Sequence, residues 1–162
     1  MKPRFVDSFL YAAQGIRTAV REERNMRFHL CAAFYVYLFS LFYGFGKTEY
    51  ILITLMVCGV LALELVNSAI ERAVDKPDTT HWWTAGAAKD MAAGAVLVMA
   101  IGTVIVAVCL FGPRLGVLWV AFTARWTRPV GILLSLLIFS KFIFQSSNST
   151  QKGEQPKGKT DA

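Results

Sequence analysis

The sequence predicts an all-α integral membrane protein with an N-terminal amphipathic surface helix, three transmembrane helices and a weaker candidate for a fourth, C-terminal span. The chain has 162 residues, of which 55% are hydrophobic and only 17% are charged, whereas soluble domains carry about 25% charged residues. Its apolar residues gather in runs close to the roughly 20 residues that a membrane-spanning helix needs. The net charge of +6 comes mainly from the ends and turns between these runs. These features disfavour a soluble globular, disordered or disulfide-stapled secreted protein.

The first 20 residues repeat apolar side chains at helical spacing, with arginines among them. The apolar positions are Phe5, Phe9, Ala12, Ala13, Ile16, Ala19 and Val20. This pattern predicts an amphipathic helix that lies in the membrane interface. A helix packed against a partner domain is the alternative, but the chain has no second domain for it to pack on.

Three apolar runs are candidate transmembrane helices. They cover residues 30–45, 50–70 and 91–111. The second is interrupted only by Glu64 and Asn67, and the third contains no charged residue. We therefore expect the second and third runs to cross the bilayer as single helices.

The C-terminal part of the chain, residues 112–145, contains the fourth candidate span. This run covers residues 130–144, is short, and carries Lys141 near its end. The following tail, residues 146–162, is polar and rich in lysine and glycine. Such a composition predicts disorder.

The distribution of basic residues predicts the orientation of the chain. Lysine and arginine cluster before the first span and between the second and third, whereas the turn between the first two spans holds only Lys47. Because basic loops stay on the cytoplasmic side, the N-terminus and the loop of residues 72–89 should be cytoplasmic. A fourth span would return the tail to the cytoplasm.

Polar side chains form one stripe at the end of the second span. Glu64, Asn67, Glu71 and Asp75 are spaced 3, 4 and 4 residues apart, which places them on one helix face. At about 1.5 Å per residue, Glu64 lies roughly 10 Å deeper than Glu71. The shallow carboxylates suit Mg²⁺ bound together with phosphates, and the deep one suits a general base. A stripe that only joins helices through polar contacts is the alternative, most of all for Ser68.

Two further polar groups lie near the same side of the predicted membrane. Lys89 and Asp90 precede the third span, where Lys89 could neutralise phosphate charge and Asp90 could orient Lys89 or only cap the helix. The residues before the first span include Glu22, Glu23, Asn25, Arg27 and His29. From the residues alone, this second group is best interpreted as a solvated charge run.

These motifs resemble the prokaryotic diacylglycerol kinase family. The resemblance rests on Glu64-x-x-Asn67-Ser-Ala-Ile-Glu71-x-x-x-Asp75 and on Ala88-Lys89-Asp90. The motif Glu23-x-Asn25-x-Arg27-x-His29 is similar to the Gram-positive branch, whose members act mainly as undecaprenol kinases. The similarity covers about residues 1–111, which would form the membrane lipid kinase domain.

The resemblance implies an ATP- and Mg²⁺-dependent kinase of the cell membrane that forms homotrimers with shared active sites on the cytoplasmic side. It would transfer the γ-phosphate of ATP to undecaprenol, giving undecaprenyl phosphate. The alternative acceptor is diacylglycerol, which would give phosphatidic acid. No nucleic-acid partner is implied, because the basic residues flank spans and do not form one patch.

The resemblance also implies a role for each matching residue. Glu64 would be the general base, and Asn67 would orient Glu64 or the γ-phosphate. Glu23 and Glu71 would hold the metal. The nucleotide would be contacted by Arg4, Tyr11, Glu23, Glu71, Lys89 and Asp90, and the lipid by Glu64, Asn25 and Arg27.

Two other classes of function remain as alternatives. A proton or ion pathway would need acidic residues on several spans, but the first and third predicted spans contain none. A non-catalytic adaptor would have lost part of the chemistry, yet the Glu, Asn, Lys and Asp positions are filled. The segment Gly44-Phe-Gly46-Lys47-Thr48 resembles the end of a phosphate-binding loop, but position 41 is Leu41 and no strand precedes it, so we interpret it as a turn.

Overall fold

The computed structural model describes residues 5–74, 83–124 and 127–144. Within these ranges every regular element is helical, which confirms the predicted all-α class for this part of the chain. The elements are α1 (Phe5–Glu22), α2 (Arg24–Ser40), α3 (Lys47–Val74), α4 (Trp83–Phe111), a 3-10 turn (Gly112–Arg114), α5 (Leu115–Thr123) and α6 (Thr127–Phe144).

Two helical stretches of the described chain are long and apolar enough to cross a membrane. They are Lys47–Val74 and Ala85–Thr123, the second of which joins α4, the 3-10 turn and α5. The helices predicted for residues 50–70 and 91–111 are therefore confirmed. The helix Pro129–Phe144 is apolar but shorter. The total number of spans and the membrane-surface position of α1 stay predictions.

The first predicted span ends earlier than its apolar run. Helix α2 stops at Ser40 and the chain turns through residues 41–44, where Gly44 has a φ of 60°. Helix α3 then begins, and the Gly46 N–H donates to the Glu49 Oε2 at 3.0 Å. This contact satisfies a backbone donor that the first turn of a helix leaves free. The glycine segment is thus a turn and a helix start, as the sequence predicts.

Two elements extend beyond the sequence-based boundaries. Helix α4 starts at Trp83, ahead of the apolar run at 91–111, and α5 at Leu115–Thr123 was not predicted at all. Helix α5 has only 9 residues. A helix of this length is much shorter than the run of about 20 apolar residues that indicates a membrane span, so hydropathy does not predict it.

Helices α3 and α4 pack side by side in antiparallel directions. Gly59 lies directly against Met99, so closely that a Cβ added at Gly59 would collide with the Met99 side chain. Closer to the α3 start, Ile53 shares an apolar cleft with Leu110 and Phe111. In a lipid bilayer the hydrophobic effect does not drive helices together, so their association depends on close van der Waals packing. A small residue such as Gly59 allows this packing.

Helix α6 runs back along α2. The Tyr35 and Ser135 hydroxyls are hydrogen bonded at 2.9 Å, and Phe139 packs with Phe34 at a ring-centroid distance of 5.1 Å. Near the end of α2, Phe39 meets Phe122 just ahead of α6. The chain therefore returns toward the start of α2, in the direction expected of a fourth span.

The far end of the bundle, where α2 turns into α3, is closed by aromatic rings. Tyr43 packs on Phe111 at 4.8 Å between centroids, and Phe45 packs on the same ring at 5.1 Å. The Arg114 Nη1 donates to the Tyr43 carbonyl at 3.3 Å. These contacts attach the α2–α3 turn to the end of α4.

We predict that Gly44→Ala destabilises the protein by about 1–2 kcal/mol, since the left-handed backbone brings a Cβ too close to the following carbonyl oxygen. Thermal unfolding of the detergent-solubilised protein measures this change. Gly116→Ala is the control: Gly116 lies in α5, nothing surrounds its Cβ position within 4 Å, and its φ is not positive. Equal midpoints for the two variants would contradict the prediction.

Candidate active site

The polar stripe of α3 faces the interior of the helix bundle. Glu64 is only 2% exposed, and Asn67 and Ser68 are each 5% exposed. This placement agrees with the one-face arrangement that their spacing predicts. Glu71, one turn beyond Asn67, is partly exposed. Asp75, the last member of the predicted stripe, lies outside the described residues.

Hydrogen bonds distinguish the roles that these side chains can take. The Asn67 Nδ2 donates to the Glu71 Oε1 at 2.9 Å, while the Asn67 Oδ1 is buried without a hydrogen-bond partner among the described residues. The Ser68 hydroxyl donates to the backbone carbonyl of Glu64 at 2.9 Å. Ser68 is thus engaged by its own helix backbone, which favours the structural interpretation of this residue.

The corner between α1 and α2 contributes a second set of carboxylates. Glu23 has an extended backbone, with φ −93° and ψ 120°, and its side chain does not cap α2. That side chain instead accepts a bond from the Arg72 Nη2 at 2.9 Å, and the same nitrogen lies 3.0 Å from the Glu22 Oε2. We call this end of the bundle, with Glu22, Glu23, Glu64, Glu71 and Arg72, the acidic end.

The Arg72 ion pairs were missed by sequence reasoning, which used Arg72 only to orient the chain. Its side chain is 41% exposed, and those of Glu22 and Glu23 are 46% and 28% exposed. Pairs this exposed contribute about 0–1 kcal/mol each. Their effect is mainly geometric, because they bring Glu23 next to the end of α3 that carries Glu71. Glu22 and Glu23 of the charged run before the first span therefore contact α3 through Arg72, while Arg24 and Asn25 are exposed.

Three carboxylates from two parts of the chain lie at the acidic end: Glu23 at the α1–α2 corner, and Glu64 and Glu71 on α3. Glu64 and Glu71 are two turns apart on one face of α3, and Arg72 brings the Glu23 carboxylate to the end of that helix. Repulsion among such groups is relieved by a cation, and Arg72 supplies part of that charge at Glu23.

The oxygen donors at the acidic end fit a Mg²⁺ ion that arrives with a nucleotide. In the described ranges, no group of three or more His, Cys, Asp or Glu residues is arranged to hold a metal. Mg²⁺, however, is commonly bound by one or two carboxylates together with substrate phosphates and water. Glu23 and Glu71 are two such carboxylates, and the buried Asn67 Oδ1 offers a further oxygen beside them.

Helix α4 directs Lys89 and Asp90 toward the same end. Lys89 precedes Met99 by ten residues, and Glu71 follows Gly59 by twelve, so the antiparallel contact of Gly59 with Met99 puts both near the acidic end. Lys89 is partly buried and Asp90 is exposed.

The remaining predicted residues that the structure describes lie on α1 and at the start of α2. Tyr11 is 64% exposed on α1, and Asn25 is exposed at the start of α2. Arg27 is buried, with 6% exposure, and it donates to the backbone carbonyls of Val20, Arg21 and Ile143. Arg4 lies outside the described residues.

An apolar groove adjoins the buried carboxylate. It has a volume of about 280 Å³ between α2, α3 and α4. Its walls include Phe28, His29, Val57, Val60, Leu61 and Val104. Val60 precedes Glu64 by one helical turn on the same face of α3, so the groove leads toward the Glu64 side chain.

The bundle has apolar helices, a carboxylate cluster at one end and an apolar groove beside it. These features are typical of a helical membrane enzyme that acts on a lipid or a phosphate group. Comparison with known families agrees. Residues 10–111 match the family model described as prokaryotic diacylglycerol kinase. The chain therefore belongs to the prokaryotic diacylglycerol kinase family and is a lipid kinase, an enzyme class that transfers phosphate to an alcohol and uses ATP as co-substrate. Family and apolar helices together indicate a membrane location.

Similar curated proteins include kinases for two different lipids. The undecaprenol kinase of Bacillus subtilis (strain 168) is 41% identical over 112 residues, which are 69% of this chain and 91% of that protein. A diacylglycerol kinase of Synechocystis sp. is 37% identical over 70% of this chain and 65% of its own length. A diacylglycerol kinase of Haemophilus influenzae is 34% identical over 57% of this chain and 79% of its own. No solved structure gives a significant match.

Proposed function

We propose that the protein transfers the γ-phosphate of ATP to the hydroxyl of undecaprenol. The observation that carries this proposal is the burial of Glu64 beside an apolar groove, with further carboxylates toward the bundle end. The similarity to the Bacillus subtilis undecaprenol kinase, which covers 91% of that protein, supports undecaprenol as the acceptor. Diacylglycerol is the alternative acceptor, supported by the two diacylglycerol kinases.

Glu64 is the general base in this proposal. A lipid alcohol can place its first carbons in the groove and its hydroxyl at the Glu64 carboxylate, while the rest of its chain stays among lipid tails. Glu64 then accepts the hydroxyl proton as the lipid oxygen bonds to the γ-phosphorus, and the bond from that phosphorus to the bridging oxygen breaks to release ADP. Phosphoryl transfer depends mostly on positioning of the reactants and stabilisation of charge. A carboxylate that accepts a hydrogen bond from the lipid hydroxyl would hold the attacking oxygen in position.

Glu23 and Glu71 are the proposed ligands for Mg²⁺. When bound, the metal would neutralise phosphate charge and align the nucleotide. Asn67 donates to Glu71 at 2.9 Å, which holds this carboxylate in place and keeps the amide oxygen near it. Arg72 is hydrogen bonded to the Glu23 carboxylate. It would move aside if that carboxylate bound the metal.

Nucleotide and lipid contacts are proposed for the residues around this centre. Lys89 would bind phosphate oxygens, with Asp90 next to it, and Arg4 and Tyr11 would contact the nucleotide. Asn25 is exposed beside the Glu23 corner, where it can contact the lipid head, and Arg27 belongs to the same corner.

A homotrimer with shared sites accounts for the open surfaces of the single chain. Tyr11 is 64% exposed, so a nucleotide contact by this ring fits a site on a neighbouring copy. The apolar face of α4 is also open, with Val98 72% exposed. We further propose that the acidic end faces the cytoplasm across the cell membrane, because basic residues cluster at this end and ATP is supplied there.

Acceptor preference is tested with the purified protein, Mg-ATP and each lipid alcohol in matched detergent micelles. We expect faster phosphorylation of undecaprenol than of diacylglycerol at equal mole fraction. A higher kcat/KM for diacylglycerol would reverse the choice of acceptor and leave the lipid kinase assignment standing.

We predict that Glu64→Gln lowers kcat by about 10²-fold or more, the usual contribution of a general base. Binding of ATP, measured by equilibrium titration, should stay close to that of the unmodified protein. Ser68→Ala is the matched control, because Ser68 is also buried on α3 and, among the described residues, its hydroxyl donates to a backbone carbonyl of the same helix. Near-normal turnover of Glu64→Gln would show that Glu64 is not the base.

We predict that Glu71→Gln and Glu23→Gln each raise the Mg²⁺ concentration for half-maximal rate by about tenfold, since each variant removes one charged metal ligand. Titration of the rate with Mg²⁺ at fixed ATP measures the change. Glu49→Gln serves as the control, as Glu49 caps the start of α3 at the opposite end of the bundle. A change of the same size in Glu49→Gln would argue against a local metal site.

A further inference from the structure

Arg27 joins the C-terminal ends of two helices. Its Nη1 donates to the Arg21 carbonyl at 2.8 Å and to the Val20 carbonyl at 3.4 Å, both in the last turn of α1. Its Nε and Nη2 donate to the Ile143 carbonyl at 3.3 and 3.2 Å, in the last turn of α6. Helix α6 lies beyond residue 111, where the family match ends.

An arginine is well suited to join two helix ends at this position. The last four carbonyls of a helix have no partner within it and carry partial negative charge. A guanidinium presents several N–H donors in a fixed plane, so one buried side chain can satisfy the ends of α1 and α6 together. Arg27 is 6% exposed, and these carbonyls are among the groups that stabilise its charge.

The chain between the Arg27 contacts carries the Glu23 carboxylate. Glu23 lies between Arg21, whose carbonyl Arg27 binds, and Arg27 itself. The Glu23 N–H donates to the Ala19 carbonyl at 2.9 Å, and Arg72 holds the Glu23 side chain from α3. The position of Glu23 therefore depends on how Arg27 is anchored.

The position of the Ile143 carbonyl depends in turn on packing between α6 and α2. Phe139, one turn before Ile143, contacts both Phe34 and Tyr35. The Tyr35 and Ser135 hydroxyls share a hydrogen bond at 2.9 Å. These contacts fix the level at which α6 ends beside α2.

We propose that α6 is a positioning element for Glu23 and that Arg27 is the positioning residue through which it acts. Packing of Phe139 on α2 sets the Ile143 carbonyl, this carbonyl orients the guanidinium, and the guanidinium fixes the α1–α2 corner. The inference rests on the proposed role of Glu23 as a metal ligand. It predicts that loosening α6 weakens the response to Mg²⁺ while affinity for the lipid stays unchanged.

The test uses full-length Phe139→Ala in detergent micelles. We expect the Mg²⁺ concentration for half-maximal rate to rise about threefold or more, the range for substitutions that act through an intervening network. The KM for undecaprenol should stay within about twofold. Phe139→Leu, which keeps an apolar side chain, should restore most of the response, and Ile138→Ala, at a position 68% exposed on α6, should match the unmodified protein. An unchanged Mg²⁺ response in Phe139→Ala overturns the proposal.

A double-mutant cycle with Arg27→Lys tests the route through Arg27. Lysine keeps the charge but lacks the planar set of donors that reaches both helix ends. If α6 acts through Arg27, then Phe139→Ala adds little to the Mg²⁺ shift already produced by Arg27→Lys. If the Mg²⁺ shifts of the two single variants multiply in the double variant, the proposal is overturned. A rise in the KM for lipid in place of the Mg²⁺ shift would also overturn it.

Two reference variants separate failure of this inference from failure of the metal assignment. If Glu23→Gln needs more Mg²⁺ for half-maximal rate but Phe139→Ala does not, only the role of α6 is rejected. No change in Glu23→Gln rejects the metal role of Glu23 and this inference with it. Should Phe139→Ala fail to fold, Tyr35→Phe keeps the ring and removes the hydroxyl that bonds Ser135. This variant is expected to produce a smaller Mg²⁺ shift in the same direction, and the absence of that shift overturns the proposal.

Discussion

The structure depends on keeping a carboxylate, Glu64, inside a bundle of apolar helices. An isolated ionised carboxylate in such surroundings is costly, and Glu64 is 2% exposed. The remaining features of the acidic end can be understood from this constraint. Helix α3 must pass close to α4 to enclose the side chain, and Gly59 permits that approach. Polar partners must also gather where α3 leaves the apolar layer, which is where Asn67, Glu71 and Arg72 lie.

Two arginines organise the corner that faces this carboxylate, and they do so in different ways. Arg72 binds the carboxylates of Glu22 and Glu23 directly, whereas Arg27 binds the two backbone carbonyls that immediately precede them. The first contact can exchange with a metal or a phosphate because it is partly exposed. The second is buried and stays in place. A site that receives a charged substrate needs both an exchangeable counter-charge and a fixed backbone.

Local patterns in the sequence were enough to predict the helical class and the common face of Glu64 and Asn67, because hydropathy and helical spacing act over a few turns. The resemblance to the kinase family added Glu23, which spacing alone left as a solvated charge. Helix α5 was missed because it is shorter than a span. The contact of Arg27 with Ile143 joins residues 116 positions apart, and no local pattern carries that information. The resemblance assigns Arg27 to the lipid, which stays a prediction; in the structure its guanidinium donates to helix-end carbonyls.

The antiparallel path of α6 along α2 has a practical consequence for the geometry of the whole chain. Because α6 ends beside Arg27, this helix ends at the acidic end of the bundle and not at the aromatic end around Tyr43. A fluorescent protein or affinity handle joined directly after this helix would therefore begin near the carboxylates that we propose as the nucleotide site. A short connection would crowd these carboxylates, whereas a long one would leave them accessible.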